Sequence, residues 1–253
     1  MTIFYYTATG NSLAVAKKIG GTLVSIPQVT DADNQHYKDD VIGIIFPVYW
    51  WSPPIMVRRF LEKASFEADY IFAIGTYGSV VFGAMASLYK YADKNGYQYN
   101  YINQVVMLDN YLPVFNMNIQ EKKLPKKRVS EKIAAIVSDI NERKQKRAVK
   151  YPWKLAMTAF MGNRFKPETN AKKYIVDDKC NLCGICASVC LAKNIVVADA
   201  VTFHNQCEGC LACLHHCPQN AMHLKKRRSE KRWRNPDVSL KEIIEANNRN
   251  KDA

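Results

Sequence analysis

Residues 1–21 read MTIFYYTATGNSLAVAKKIGG, and the change of rhythm inside them decides how the chain begins to fold. Ile3 to Tyr6 is a short apolar run, the signature of a buried strand. From Leu13 the apolar residues Leu13, Val15, Ala16 and Ile19 recur at helical spacing, and Gly20 and Gly21 end the helix. Between them lie Thr7, Ala8, Thr9, Gly10, Asn11 and Ser12. Small hydroxylated residues and a glycine at a strand-to-helix turn leave backbone N–H groups aimed at whatever sits on the helix N-terminus, an arrangement that suits a phosphate. The loop has no lysine and does not match G-x-x-x-x-G-K-[ST], which disfavours a P-loop NTPase. No G-x-G-x-x-G for a dinucleotide is present either.

Two later stretches repeat the strand-then-loop pattern. Val41 to Phe46 is apolar and leads into Pro47, Val48, Tyr49, Trp50, Trp51, Ser52, Pro53 and Pro54. Tyr70 to Ile74 leads into Gly75, Thr76, Tyr77 and Gly78. In an open α/β sheet, ligands sit beyond the carboxyl ends of the strands. Helices are expected near 55–63, near 80–94 ending at Gly96, and near 130–147. A further strand is expected within 99–108.

Taken together, residues 1–147 resemble flavodoxin, whose phosphate loop is T-x-T-G-x-T/S after the first strand. Thr7, Thr9, Gly10, Asn11 and Ser12 match it position by position. The resemblance implies a doubly wound, parallel five-stranded sheet that binds FMN, with those five residues on the phosphate. Pro47, Tyr49, Trp50, Trp51, Gly75, Thr76, Tyr77 and Gly78 would surround the isoalloxazine. Trp50 or Trp51 would cover one face and Tyr77 the other, although the loop's aromatics could simply pack the loop. Gly75 and Gly78 would admit the ring close to the backbone. No length is left over for an NAD(P)H domain.

All eight cysteines fall in two copies of C-x2-C-x2-C-x3-C, 27 residues apart. This spacing is that of bacterial two-cluster ferredoxins, in which the fourth cysteine of each run ligates the other cluster. The resemblance implies a small α+β domain over 174–224 holding two [4Fe–4S] clusters. Cys180, Cys183, Cys186 and Cys217 would bind one, and Cys207, Cys210, Cys213 and Cys190 the other. Two alternatives use the same residues. Structural zinc prefers two separated C-x2-C pairs. A disulfide framework needs an oxidising compartment, and no signal-peptide pattern precedes the first strand. Cys190 is followed by Leu191 where Cys217 is followed by Pro218, which touches no ligand. Asn194 to Val197 and Val201 to His204 could form a hairpin, Gly184 and Gly209 could bring amides to sulfur, and His215 and His216 are not needed as ligands.

The net charge of +13 is unevenly spread. Segments 1–121 and 174–224 each carry −2, whereas 122–173 carries +12 and 225–253 carries +5. The excess positive charge therefore lies in the stretch that includes a connector, 148–173, and in a tail, 225–253, where Ser239 and Glu242 form a capping box ahead of a short helix. The connector mixes basic residues with Trp153, Leu155, Met157, Phe160, Met161 and Phe165. A bridge packed between the halves is the expectation, with peripheral membrane contact disfavoured. Nucleic acid is disfavoured too, because no base-reading motif accompanies 122–128 or 225–234. No apolar run approaches the ~20 residues that span a bilayer, and a cytoplasmic location is expected.

Joined in this order, the halves resemble the flavodoxin–ferredoxin fusion proteins of anaerobic prokaryotes. That resemblance implies electron transfer between FMN, the clusters and a redox partner protein, one with an acidic surface if the basic segments steer it. An FMN-dependent reductase fed by the clusters, and a docking or regulatory protein using the connector, are the alternatives.

Overall fold

The computed structural model describes residues 1–32, 35–167 and 173–247; residues 168–172 of the expected connector and the last six of the expected tail lie outside them. Seven strands occupy the first half: β1 (Thr2–Tyr5), β2 (Thr22–Ser25), β3 (His36–Lys38), β4 (Val41–Pro47), β5 (Ser65–Glu67), β6 (Tyr70–Tyr77) and β7 (Tyr101–Val106). Five of them form a parallel sheet in the order β2-β1-β4-β6-β7. Counted within that sheet the order is 2-1-3-4-5, the doubly wound, flavodoxin-like arrangement, with its switch point between β1 and β4. The central strands are almost wholly apolar because helices cover both faces. Packing there is tight: a Cβ on Gly43 would stand 2.2 Å from the ring of Phe72. β3 and β5 make a separate two-stranded parallel pair that the sequence reading did not foresee.

The helix expected near 55–63 spans Ile55–Lys63. The one expected from residue 80 is shorter. Its regular part is a 3-10 turn, Ala86–Leu88, followed by Tyr89–Asn95 and a left-handed Gly96. Residues 80–85 are pulled out of helix by a tertiary contact: the Gly83 amide donates to Thr158 Oγ1 at 3.0 Å, and Phe82 is left-handed. The helix expected to reach 147 ends at Asn141, because Lys146 pairs along the edge of the sheet with Tyr101.

The cysteine-bearing unit contains β8 (Tyr174–Val176), β9 (Ile195–Val197), β10 (Val201–Phe203) and β11 (Met222–Leu224), with short helices Ile185–Ser188 and Ala212–His215. Every second-copy element lies 27 residues after its first-copy counterpart. β8 pairs with β11 and β9 with β10, both antiparallel, so each copy lends a strand to the other. Even the left-handed residues repeat: Leu182, Gly184 and Lys193 correspond to Gly209, Leu211 and Asn220.

The two units are packed against each other directly. Val189, Leu191 and Ala212 belong to the same buried cluster as the sheet, and Leu108, Leu112 and Met117 pack with Ile195, Leu214 and Met222. The tail keeps most of its basic residues in solvent and runs over the molecule as a strap. The Arg228 amide donates to Leu112 O and the Asn235 amide to Thr9 O, after which the Leu240–Asn247 helix docks on the first half. Ser239 and Glu242 exchange the two bonds of a capping box. Lys17 pairs with Glu242 at 2.6 Å, Gln28 donates to Glu245 O, Ser25 Oγ donates to Ala246 O, and Asn247 donates to Val189 O.

Candidate functional site

The turn after β1 is braced from three directions. Gly10 caps the Asn11–Ile19 helix at φ 94°, a conformation that disfavours any side chain, and its amide donates to Thr7 Oγ1 at 3.1 Å. Asn110 Nδ2 donates to Thr9 Oγ1 at 2.6 Å, and Ser12 Oγ meets Thr76 Oγ1 at 2.9 Å. From the strap, Asn235 donates its amide to Thr9 O and its side-chain Nδ2 to Asn11 Oδ1. A Cβ on Gly10 would come within 3.0 Å of Asn235 and Val238. The result is a rigid cradle of buried hydroxyls at a helix N-terminus, whose first amides have no partner within the helix.

Above this cradle a cavity of about 360 Å³ opens at the carboxyl ends of β1, β4 and β6. Thr7, Thr9, Asn11, Ser12, Pro47, Tyr49, Trp50, Trp51, Thr76, Tyr77 and Gly78 all line it. Gly10 shapes the cradle from behind. Gly75 does not face the cavity: its missing Cβ makes room for Met85, whose sulfur would be 2.4 Å away, so it serves core packing and not ring approach. At Gly78 the expected close approach is by Asp109, 2.2 Å from an added Cβ.

Tyr49 and Ser52 exchange both backbone hydrogen bonds, at 2.9 and 3.0 Å, closing a two-residue turn whose centre is Trp50-Trp51. Both tryptophans have positive φ, 48° and 63°. Such turns normally recruit Asn-Gly, and bulky residues there store on the order of 1–3 kcal/mol each. Aromatic contacts hold the strain in place. Trp50 stacks on Phe165 at 5.3 Å and meets Tyr111 edge-on, and Trp51 lies 4.0 Å from Phe82.

A third loop, after β7, was missed by the sequence reading although it obeys the same rule of strand ends. It brings Leu108, Asp109, Asn110 and Tyr111 to the cavity. Asp109 accepts from Ser79 Oγ at 2.9 Å; burial raises its pKa, against the pull of Ser79, the Tyr111 amide and Lys127. Lys127, drawn from the basic segment, donates to Gly78 O at 2.8 Å and to Met107 O, stapling two cavity loops together.

The cysteines sort into two further cavities. One is lined by Cys180, Cys183, Cys186 and Cys217, the other by Cys190, Cys207, Cys210 and Cys213. Amides of Gly209 and Asn194 donate to Cys207 Sγ and Cys190 Sγ at 3.3 and 3.2 Å. Burial pushes the Cys186 thiol up to about 11 and raises Cys190, Cys207, Cys210 and Cys213 as well. Among the described residues, no three His, Cys, Asp or Glu side chains converge on a point that would hold a single ion. The cavities differ in surroundings: Cys183 is exposed, whereas Cys213 is buried against the first half. Cys210, with Gly209 and Leu211, lines the aromatic cavity as well as its own. Next to it Glu208 is buried, accepting from the Met56 amide and Arg59; burial raises its pKa against those bonds.

The paired histidines are clamps. His215 Nε2 donates to Asn110 O at 2.9 Å and His216 Nε2 to Ala8 O at 3.0 Å, so each grips one cavity loop. The Trp233 amide donates to His215 Nδ1, which fixes the tautomer that can donate from Nε2. Burial holds His215 neutral, its pKa lowered to about 3.

No protein-family model and no curated protein matches the chain. Among solved structures it is similar to a protein described as a flavoprotein from Bacteroides uniformis, at 17% identity over 48% of this chain and 95% of that one, with a TM-score of 0.34. A second, so described, from Bacteroides eggerthii shares 18% identity over 41% of this chain and 84% of that one, with a TM-score of 0.29. A flavodoxin of Streptococcus pneumoniae TIGR4 shares 15% identity over 53% of this chain and 97% of that one, with a TM-score of 0.32. Likenesses this low leave the fold resting on the strand order itself.

Proposed function

We propose that the protein is an electron carrier that holds FMN in the aromatic cavity and a [4Fe–4S] cluster in each cysteine cavity, and exchanges electrons with a redox partner. The observation that carries this reading is the position of Cys210 in the wall of two cavities at once. One side chain then separates a flavin from the nearer cluster.

The residues present suit these groups. A cavity of about 360 Å³ falls within the ~300–1,000 Å³ usual for small-molecule sites. Buried hydroxyls and helix amides meet the phosphate end, and tryptophan and tyrosine meet the ring end. Four thiols with neighbouring amide donors line each of the other cavities, the arrangement that holds a cubane and tunes its potential. When bound, the flavin exchanges one or two electrons and each cluster one.

The chain's own residues supply everything else. Thr7, Thr9 and Ser12 hold the phosphate, and Trp50, Trp51 and Tyr77 keep water from the ring. His215 and His216 fix the cluster unit against the loops. The exposure of Cys183 and of Leu182, at 42%, supports the first cysteine loop as the face where a partner would meet the chain. Eight cysteines kept reduced as cluster ligands would fit a reducing, cytoplasmic compartment.

The test is anaerobic purification with iron, sulfide and FMN measured against protein, then a stepwise redox titration by absorbance and EPR. About eight irons and one FMN per chain, both centres reducible, supports the proposal. Iron without flavin, or zinc in place of iron, overturns it. Asp109 favours a second reading: a half-buried carboxyl with a raised pKa on the cavity wall could serve as proton donor in an FMN-dependent reductase. Turnover of a small acceptor that is lost in Asp109→Asn would select that reading.

A further inference from the structure

The connector matches the expectation of a packed bridge only in part: Met161 lines the aromatic cavity and Phe165, just past the Pro152–Arg164 helix, stacks on Trp50, but a second apolar row of that helix stays outside. Trp153, Ala156, Met157 and Phe160 follow the i, i+3, i+4, i+7 spacing of a buried stripe, yet this stripe faces water. Trp153 is 59% exposed, Phe160 55% and Met157 39%, and Val149 and Tyr151, just before the helix, are 66% and 45% exposed. The opposite side of the helix is the seated one. Thr158 is buried on the Gly83 amide, and Met161 reaches the wall of the aromatic cavity.

Basic residues flank the stripe in sequence, and two of them reach its rim. No Asp or Glu occurs between residues 143 and 167, while Lys146, Arg147, Lys150, Lys154 and Arg164 do. Lys154 Nζ lies over the ring of Tyr151 at 4.3 Å, and the Arg164 guanidinium over Phe160 at 5.3 Å, so cations sit at the aromatic rim. Among the described residues none of those five basic side chains makes an ion pair.

We propose that this face seats the protein on an anionic lipid surface, with Trp153, Met157 and Phe160 in the headgroup–acyl boundary and the basic residues among the phosphates. Thirteen residues make a helix of roughly 20 Å, suited to lying in an interface plane, and no described helix is long and apolar enough to cross a membrane. A bilayer rewards both halves of the pattern at once. An acidic protein would reward the charge and leave Trp153 and Phe160 wet. The proposal is independent of the electron-transfer reading, because it rests on an outer face.

The test floats the full chain, as isolated, with vesicles of phosphatidylcholine containing about a third phosphatidylglycerol. The protein is expected to float with these, not with pure phosphatidylcholine, and to be released by about 0.5 M salt. Brominated acyl chains are expected to quench tryptophan emission, and Trp153→Leu to abolish the quenching. Lys150→Glu with Lys154→Glu and Arg164→Glu is expected to lower partitioning at least about tenfold. If that triple variant does not fold, the neutral Lys150→Gln, Lys154→Gln pair, with its absorbance spectrum and thermal midpoint unchanged, serves in its place. Failure to float, flotation unaltered by the charge variants, or binding without acyl-chain quenching overturns the proposal. So does retention on immobilised polyglutamate with no flotation, which would mark a protein-docking face.

Discussion

The imidazole of His216 donates to the carbonyl oxygen of Ala8 at 3.0 Å, across 208 residues of sequence. His216 lies between two cysteines of the second motif, and Ala8 lies inside the phosphate-type loop. One hydrogen bond therefore ties the cysteine unit to the cavity's most rigid element. His216→Ala would leave that buried carbonyl without its donor, at a cost of about 1–3 kcal/mol. Thermal unfolding should show the lower midpoint. Rapid-reaction absorbance should show slower exchange between flavin and clusters, and an unchanged midpoint would refute the clamp.

Trp50 offers a way to separate stability from ligand affinity. Trp50→Asn relieves a left-handed tryptophan, worth about 1–3 kcal/mol, and removes two aromatic pairs worth about 0.5–1.5 kcal/mol each. The terms offset, so denaturant unfolding should shift by no more than about 1 kcal/mol. FMN affinity, measured by fluorescence titration, should fall at least about tenfold, since a ring face is lost. A large change in stability would mean the strain argument is wrong.

The two cysteine cavities should respond differently to mutation. Cys183→Ser touches the exposed site and is expected to lower bound iron while the flavin spectrum stays as it was. Cys210→Ser is expected to lower iron and also to change the flavin spectrum and potential, because Cys210 lines both cavities. Identical flavin spectra in the two variants would remove the case for a shared wall.

Acid should loosen the tail before the rest. Lys17 and the Ser239 cap hold the Glu242 carboxyl at about 2, below its ordinary value near 4.5. A depressed carboxylate pKa contributes stability that is present above the unfolded value and lost as pH falls from about 4.5 through 2. Glu242 is half-buried at the start of the terminal helix, so the effect is local. Amide exchange in the Leu240–Asn247 helix should accelerate over that window while the sheet stays protected, and Glu242→Gln should already behave so at pH 7.

The parts legible in the sequence were those governed by nearest neighbours. The 27-residue spacing of cysteines anticipated a repeat that extends to every strand, helix and left-handed residue of the second unit. Apolar runs at 41–46 and 70–74 gave two central strands, and Ser239 with Glu242 marked a helix start. The rest depended on partners distant in the chain. The turn at 80–85 is decided by Thr158, the role of Gly75 by Met85, and the seat of the tail by Thr9 and Ser25. Asp109, Asn110 and Tyr111 carry no motif, although their place after a fifth strand was itself a signal. Phe160 followed a helical period whose outward direction no period can state.

The strap also orders events during synthesis. Thr7 to Ser12 emerge early, yet the amide and side chain that complete their cradle belong to Asn235, more than two hundred residues later. At about 5–20 residues per second that interval is tens of seconds. Throughout it the nascent sheet has a loop lacking one of its braces, and a cofactor captured then would be held less firmly than in the finished chain. Under the proposed function, flavin retention would be coupled to completion of the cysteine unit, so that few molecules would carry one redox centre without its neighbour.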